Sequence, residues 1–182
     1  MERSSMKKET GCIHIYCGDG KGKTTCGMGL CVRAAGYGYK VLIYQFMKDN
    51  NTSERSALER LGNVTLVDGL PQEKFSFQMS PREKEERRAY YENQFLTVTR
   101  QAETEGYDVL FLDEIIYTIR AGLFDEKLLL HFLDTKPETL EVILSGQDPS
   151  RDLIERADYV SEIRKLKHPF DQGMSARNGI ER

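Results

Sequence analysis

Between Gly18 and Thr25 the chain reads GDGKGKTT, three glycines alternating with Asp19, Lys21 and Lys23 ahead of two threonines. Backbone this free of side chains lets another molecule approach closely, and successive N–H groups in such a loop point inward around anionic oxygens. Gly22-Lys23-Thr24 supplies the GK[ST] half of a P-loop, in which the lysine neutralises phosphate charge and the hydroxyl reaches Mg²⁺. The full pattern places a glycine at the position of Cys17, so Gly18 and Gly20 take the conformational role here. The chemistry indicated is binding of a nucleoside triphosphate such as ATP. Lys23 and Thr24 would act on phosphate and metal, with Gly18, Asp19, Gly20, Lys21, Gly22 and Thr25 completing the cradle.

A second stretch supports that reading. VLFLDE (109–114) is a short apolar run ending in Asp113 and Glu114. A buried strand that ends in acid is where P-loop proteins hold Mg²⁺ or its water shell. Adjacent residues at a strand end point to opposite sides. Glu114 is therefore the expected ligand of Mg²⁺ (or Mn²⁺) together with Thr24, and Asp113 acts from behind them.

These residues need strand ends and a helix start to hold them. CIHIYC (12–17) is strand-like, and a helical pattern follows from Lys23 to Ala35, stopped by Gly36 and Gly38. KVLIYQF (40–46) and VTLV (64–67) read as strands flanking a helix at 54–61. Ser80, Pro81 and Glu83 form a capping box at the start of a long helix that runs to about Gly106. Strands at 109–112, 140–146 and 159–166 alternate with helices, the last of them opened by Asp148 and Pro149 and ending at Ala157. Alternation of this kind predicts one α/β domain over 11–182, preceded by a flexible tail at 1–10. Its sheet would be mostly parallel with helices on both faces, like a P-loop NTPase. Ligands in such sheets lie beyond the carboxyl ends of the strands, where both motifs fall.

The 182 residues carry a formal charge of -3, a balance that argues against nucleic acid as a partner. No apolar run approaches the roughly 20 residues that span a bilayer, and a cytoplasmic protein is expected. Cys12, Cys17, Cys26 and Cys31 contain no CxxC pair and do not share a face, so they read as small buried hydrophobes rather than metal ligands. Among the histidines, His14 reads as a strand residue and His131 as a helix residue with no evident partner. The charges from Arg82 to Arg88 read as an exposed helix face with i,i+4 pairs. Lys48, Glu54 and Arg55 follow the second strand as candidate contacts for ATP or a partner subunit.

Taken together, GDGKGKTT, RAAGYGYKVLIYQFMK, LDEIIY, ADYVSEIR and KHPFDQGMSARNGIE resemble the P-loop type of corrinoid (cob(I)alamin) adenosyltransferase, in order and over residues 11–182. The ending is the most specific part, because general P-loop enzymes have no counterpart to it. The resemblance implies transfer of the 5′-deoxyadenosyl group of ATP to the cobalt of a reduced cobalamin or other corrinoid, with release of tripolyphosphate. It also implies ATP lying in the loop in the reverse sense, a homodimer, and a flavoprotein-type reductant as a partner. On the corrinoid side it places Phe75 and Phe77 in the aromatic loop before the long helix, with His168 and Phe170 from the ending. Two departures stand out. The second loop aromatic is typically tryptophan, and this chain has none. A family Gly-Arg pair is here Gly146-Gln147, leaving Arg151 as the nearby candidate for a phosphate or ribose contact. A P-loop small-molecule kinase or NTPase, and a non-catalytic ATP- or corrinoid-binding delivery or regulatory protein, remain alternatives at this level.

Overall fold

The computed structural model describes residues 10–72, 74 and 76–181. Its centre is one six-stranded parallel sheet: β1 (Ile13–Cys17), β2 (Val41–Gln45), β3 (Val64–Val67), β4 (Val109–Asp113), β5 (Glu141–Ser145) and β6 (Tyr159–Glu162). The strands lie side by side in the order β3-β2-β4-β5-β1-β6. Strands β2 and β4 are buried along their whole length, as expected of parallel strands covered on both faces. In the register Gln45 stands beside Asp113, and Leu112 beside Leu144. The acidic end of β4 is thereby flanked by the polar ends of β2 and β5.

One face is covered by α1 (Lys23–Tyr37) and the short α2 (Arg55–Leu58); α3 (Pro81–Thr104), α4 (Ile115–Arg120), α5 (Glu126–Thr135) and α6 (Arg151–Arg156) complete the fold. Phe46, Tyr91, Phe95, Leu112 and Phe124 lie in the larger core cluster, and Met28, Cys31, Ile43, Val109 and Phe111 in the smaller one. The approach of α1 to the sheet depends on Gly27, where an added Cβ would lie 2.3 Å from the Phe111 ring. That close seat brings the first turn of α1, and Thr24 with it, within reach of the β4 end.

Most expected boundaries agree within a residue or two, and the long helix opens on the expected capping box of Ser80 with Glu83. Three differ more. The helix at 54–61 is regular only over Arg55–Leu58, since Gly62 and Asn63 follow and Asn63 caps the carbonyls of Ala35 and Tyr39 instead. Helix α6 starts at Arg151 because Ser150, not Asp148, accepts from the Leu153 N–H as its cap. Strand β6 stops at Glu162, because the backbone after it turns toward the glycine loop. The expected tail at 1–10 lies, apart from Thr10, outside the described residues. Among the described residues no helix is long and apolar enough to cross a membrane.

Side chains left over from the site have ordinary structural roles. His14 stacks on Tyr159 at 4.6 Å and bonds Glu141 at 2.5 Å. Burial pushes the Glu141 carboxyl up, but bonds from His14 and from the N–H groups of Gly11 and Cys12 outweigh it and hold the group low. Arg82 and Arg88 pair with Glu86 and Glu92 at i,i+4 spacing. Cys17 and Cys31 are buried as expected, whereas Cys26 is exposed on the outer side of α1.

Candidate active site

The glycine loop leaves β1 at Gly18 and is fixed by the segment after β6. Gly20 N–H donates to the Ile163 carbonyl at 2.8 Å, and Lys165 N–H donates to Asp19 at 2.8 Å. That second bond, first among the causes, holds the Asp19 carboxyl below its ordinary value. Gly18 sits at φ 105, and a Cβ there would lie 2.3 Å from the Ile163 carbonyl oxygen. Gly18→Ala is therefore expected to distort the loop and weaken ATP binding by about tenfold or more, since both the left-handed backbone and the close approach oppose it. Isothermal titration with ATP measures this, and unchanged affinity would mean the loop does not need this conformation.

Gly22, at φ 122, precedes α1 without a side-chain cap, so the positive end of a four-turn helix faces the loop. Lys23 Nζ folds back onto the Gly20 carbonyl at 2.9 Å. Thr24 Oγ1 donates to Asp113 Oδ1 at 2.9 Å. Asp113 is fully buried and is the hub of a polar cluster. Ser145 Oγ donates to it at 2.6 Å, Gln45 Nε2 at 3.2 Å, and Lys48 Nζ at 2.7 Å. Lys48 also donates to Thr24 Oγ1 at 2.9 Å. Ser145, Gln45 and Lys48 come from a strand end or the residues just after one, and Thr24 from the first turn of α1, so the sheet order and the seat of α1 together assemble the cluster.

Glu114 follows Asp113 in the left-handed region at φ 62, and its N–H donates to Ser145 Oγ at 2.8 Å. This turn separates the two carboxylates, one buried in the cluster and the other half-buried on a cavity wall. Burial pushes the Glu114 carboxyl up and the Asp113 charge adds to it, while Lys48 and Lys23 pull the other way.

The cavity measures about 1140 Å³. Asp19 to Thr25, Lys48, Glu54 and Glu114 line one side. The aperiodic ending contributes His168, Phe170, Met174 to Ala176 and Gly179 to Glu181. His168 caps a 3₁₀ turn at Pro169–Gln172 and accepts from the Phe170 N–H. Glu181 is held down to about 2 by bonds from Arg177, and it lies 4.0 Å from Lys21 Nζ.

The structure thus gathers Asp19, Gly20, Lys21, Gly22, Lys23, Thr24, Thr25, Glu114, His168 and Phe170 on one cavity, with Asp113 directly behind it. Gly18 supports the loop from below. Arg151 is not brought in: it lines no part of the cavity and pairs with Glu155 at 2.7 Å in solvent. Phe77 is exposed on the 3₁₀ turn at Ser76–Gln78, while Lys74 of the same loop lines the cavity. Phe75 lies outside the described residues. Of the residues after β2, Glu54 accepts from Gln45 at 2.9 Å, and Arg55 turns away to Asp68. Ser145 and Gln45 escaped notice because neither residue type nor spacing marks them for chemistry, and only the strand order puts them beside Asp113.

The family model described as ATP:corrinoid adenosyltransferase BtuR/CobO/CobP matches residues 9–182. The chain belongs to this family. It is 33% identical to the corrinoid adenosyltransferase of Escherichia coli K12 over 179 residues, covering 98% of this chain and 89% of that one. A corrinoid adenosyltransferase from a Sinorhizobium species is also 33% identical, over 95% of this chain and 81% of its own length. Among solved structures, a KaiC-like protein from Pyrococcus horikoshii superposes with a TM-score of 0.56 at 18% identity, covering 87% of this chain and 75% of that one. That likeness concerns the fold, a P-loop α/β sheet.

Proposed function

We propose that the cavity binds ATP with its triphosphate in the loop from Gly18 to Thr25 and presents the 5′ carbon to the cobalt of a reduced corrinoid. The enzyme is an ATP-dependent corrinoid adenosyltransferase, and the observation that carries the site assignment is the meeting of the glycine loop and the His168–Phe170 ending on one cavity. The competing reading as a kinase acting on the γ-phosphate is not favoured by the family.

The reaction asks little covalent chemistry of the protein. The Co(I) centre of the corrinoid substrate supplies the electron pair that forms the cobalt–carbon bond. The C5′–O bond breaks, its electrons staying on the departing tripolyphosphate. What remains for the side chains is to align the two substrates and to meet the charge that grows on the leaving group. Lys23, Lys21 and the loop N–H groups do this by proximity to the phosphates. Phe77, His168 and Phe170 would form the corrinoid side, the two phenyl rings excluding water from cobalt. The donor set of a threonine hydroxyl and two carboxylates suits a hard cation, and among the described residues no cluster of three His, Cys, Asp or Glu could hold a metal by itself. A Mg²⁺ held by Thr24 and Glu114, with Asp113 behind, would therefore lean on phosphate oxygens, and when bound it would shield the charge of the triphosphate. A homodimer in the cytoplasm, supplied with electrons by a flavoprotein-type reductant, completes the reading.

Anaerobic incubation with ATP, Mg²⁺ and chemically reduced cobalamin tests it. The expected result is the absorbance of adenosylcobalamin together with tripolyphosphate as the phosphate product. ADP or inorganic phosphate in stoichiometric amounts would sink the reading. In the same assay Glu114→Gln should raise the Mg²⁺ concentration for half-activity by about tenfold, the worth of a single charged contact. An unchanged metal dependence would make Glu114 a structural acid.

A further inference from the structure

Lys48 lies outside the glycine loop and the β4 acids, yet it donates to both Thr24 and Asp113. Met47 before it sits in the left-handed region at φ 54, a conformation that costs a non-glycine residue free energy. The Tyr91 hydroxyl accepts from the Met47 N–H at 3.1 Å and helps hold that kink. The chain is thereby turned back from the end of β2, and Lys48 Nζ is set 2.7 Å from Asp113 Oδ2 and 2.9 Å from Thr24 Oγ1. Thr24 Oγ1 is an oxygen that would hold a divalent cation, and the Asp113 carboxylate lies directly behind it. An ammonium that occupies the lone pairs of the threonine hydroxyl blocks a metal there, and two cations so close repel each other.

We propose that Lys48 is an internal cation, a positioning residue that keeps Thr24 and Asp113 paired until a divalent metal arriving with the triphosphate replaces it. The freed ammonium then turns into the cavity, which Lys48 already lines, and joins Lys23 at the phosphates. The inference rests on the reading of this cavity as the ATP site. It makes metal binding conditional: the metal meets only the fraction of molecules from which Lys48 has withdrawn, and the triphosphate supplies the acceptor that favours withdrawal. Metal alone would bind weakly, and metal with nucleotide tightly.

The test is a Mn²⁺ titration followed by electron paramagnetic resonance, on protein to which no nucleotide has been added. Lys48→Met should bind Mn²⁺ about tenfold tighter than the wild type, because the competing internal cation is gone. Lys48→Arg, which restores the charge, should return to wild-type behaviour. Melting temperature gives an independent readout: Mn²⁺ should raise that of Lys48→Met and leave the wild type unmoved. Equal Mn²⁺ affinity in wild type and Lys48→Met overturns the proposal. If Lys48→Met does not fold, Lys48→Gln is measured with the same expectation. Neither readout involves ATP or a corrinoid, so failure of the adenosyl-transfer reading would show in the turnover assay alone. Wild-type turnover beside an unchanged Mn²⁺ affinity would sink this inference alone.

Discussion

Lys23→Ala and Thr24→Ala are each expected to lower kcat/KM by about two to three orders of magnitude, the usual effect of removing one group that meets charge developing in a transition state. The two should differ in stability. Lys23 Nζ makes a single part-buried bond, to the Gly20 carbonyl on the cavity lining, so truncation should move the melting temperature less than loss of the two bonds at Thr24 Oγ1. Thr24 Oγ1 joins Lys48 to Asp113, and its loss should cost about 1 kcal/mol, typical of one hydrogen bond. Thr24→Ser, which keeps the hydroxyl, should recover most of the activity. Steady-state kinetics and thermal melting of the three variants check this, and near-normal turnover by both alanine variants would remove the loop from the reaction.

Local signals carried much of this site. The glycine loop, the β4 acids and the Ser80 capping box are each written in a few consecutive residues, because the conformations they need are set by neighbours in the chain. Alternation of strands and helices was legible for the same reason, since burial on both faces forces apolar runs such as VLFL. The Asp113 cluster was only half legible. Its donors sit at Thr24, Gln45, Lys48 and Ser145, on three different segments, and what unites them is the lateral order β2-β4-β5 with α1 packed over it. No local pattern encodes lateral order.

The ending shows the opposite limit. Residues 167–181 have no helical or strand period in sequence, and they line the cavity rather than form a layer of their own. Individual contacts tie this end to the glycine loop, such as Glu181 with Lys21 and the Lys165 N–H with Asp19. Only family resemblance drew attention to them. Arg151 illustrates the converse: nearness in sequence to the β5 end suggested a phosphate contact, but the Ser150 cap places it at the first position of α6, and its guanidinium meets Glu155 one turn on.

The Lys48–Asp113 pair predicts an asymmetric and non-additive pattern of stability. Lys48→Met leaves the Asp113 carboxylate fully buried with neutral donors alone, and stranding a buried charge costs about 3–5 kcal/mol. A chain of 182 residues should melt lower by roughly 2–4 °C for each of those kcal/mol. Asp113→Asn strands the other partner, but the Lys48 side chain is 24% exposed and can turn into the cavity. Its cost is then set by Ser145 and Gln45, whose donors lose a charged acceptor, at about 1–3 kcal/mol. Activity should follow the reverse order of tolerance expected from stability alone. Asp113→Asn should lose about 10²-fold in kcat through misplacement of Thr24, although it is the more stable of the two. The double variant decides whether the pair is coupled. With the charge on Asp113 also removed, nothing is left uncompensated, so Lys48→Met with Asp113→Asn should melt above Lys48→Met alone, a coupling within the range of about 0.5–3 kcal/mol. Strictly additive losses would show that the two groups do not depend on each other, and the buried carboxylate would then owe its place to Thr24, Ser145 and Gln45.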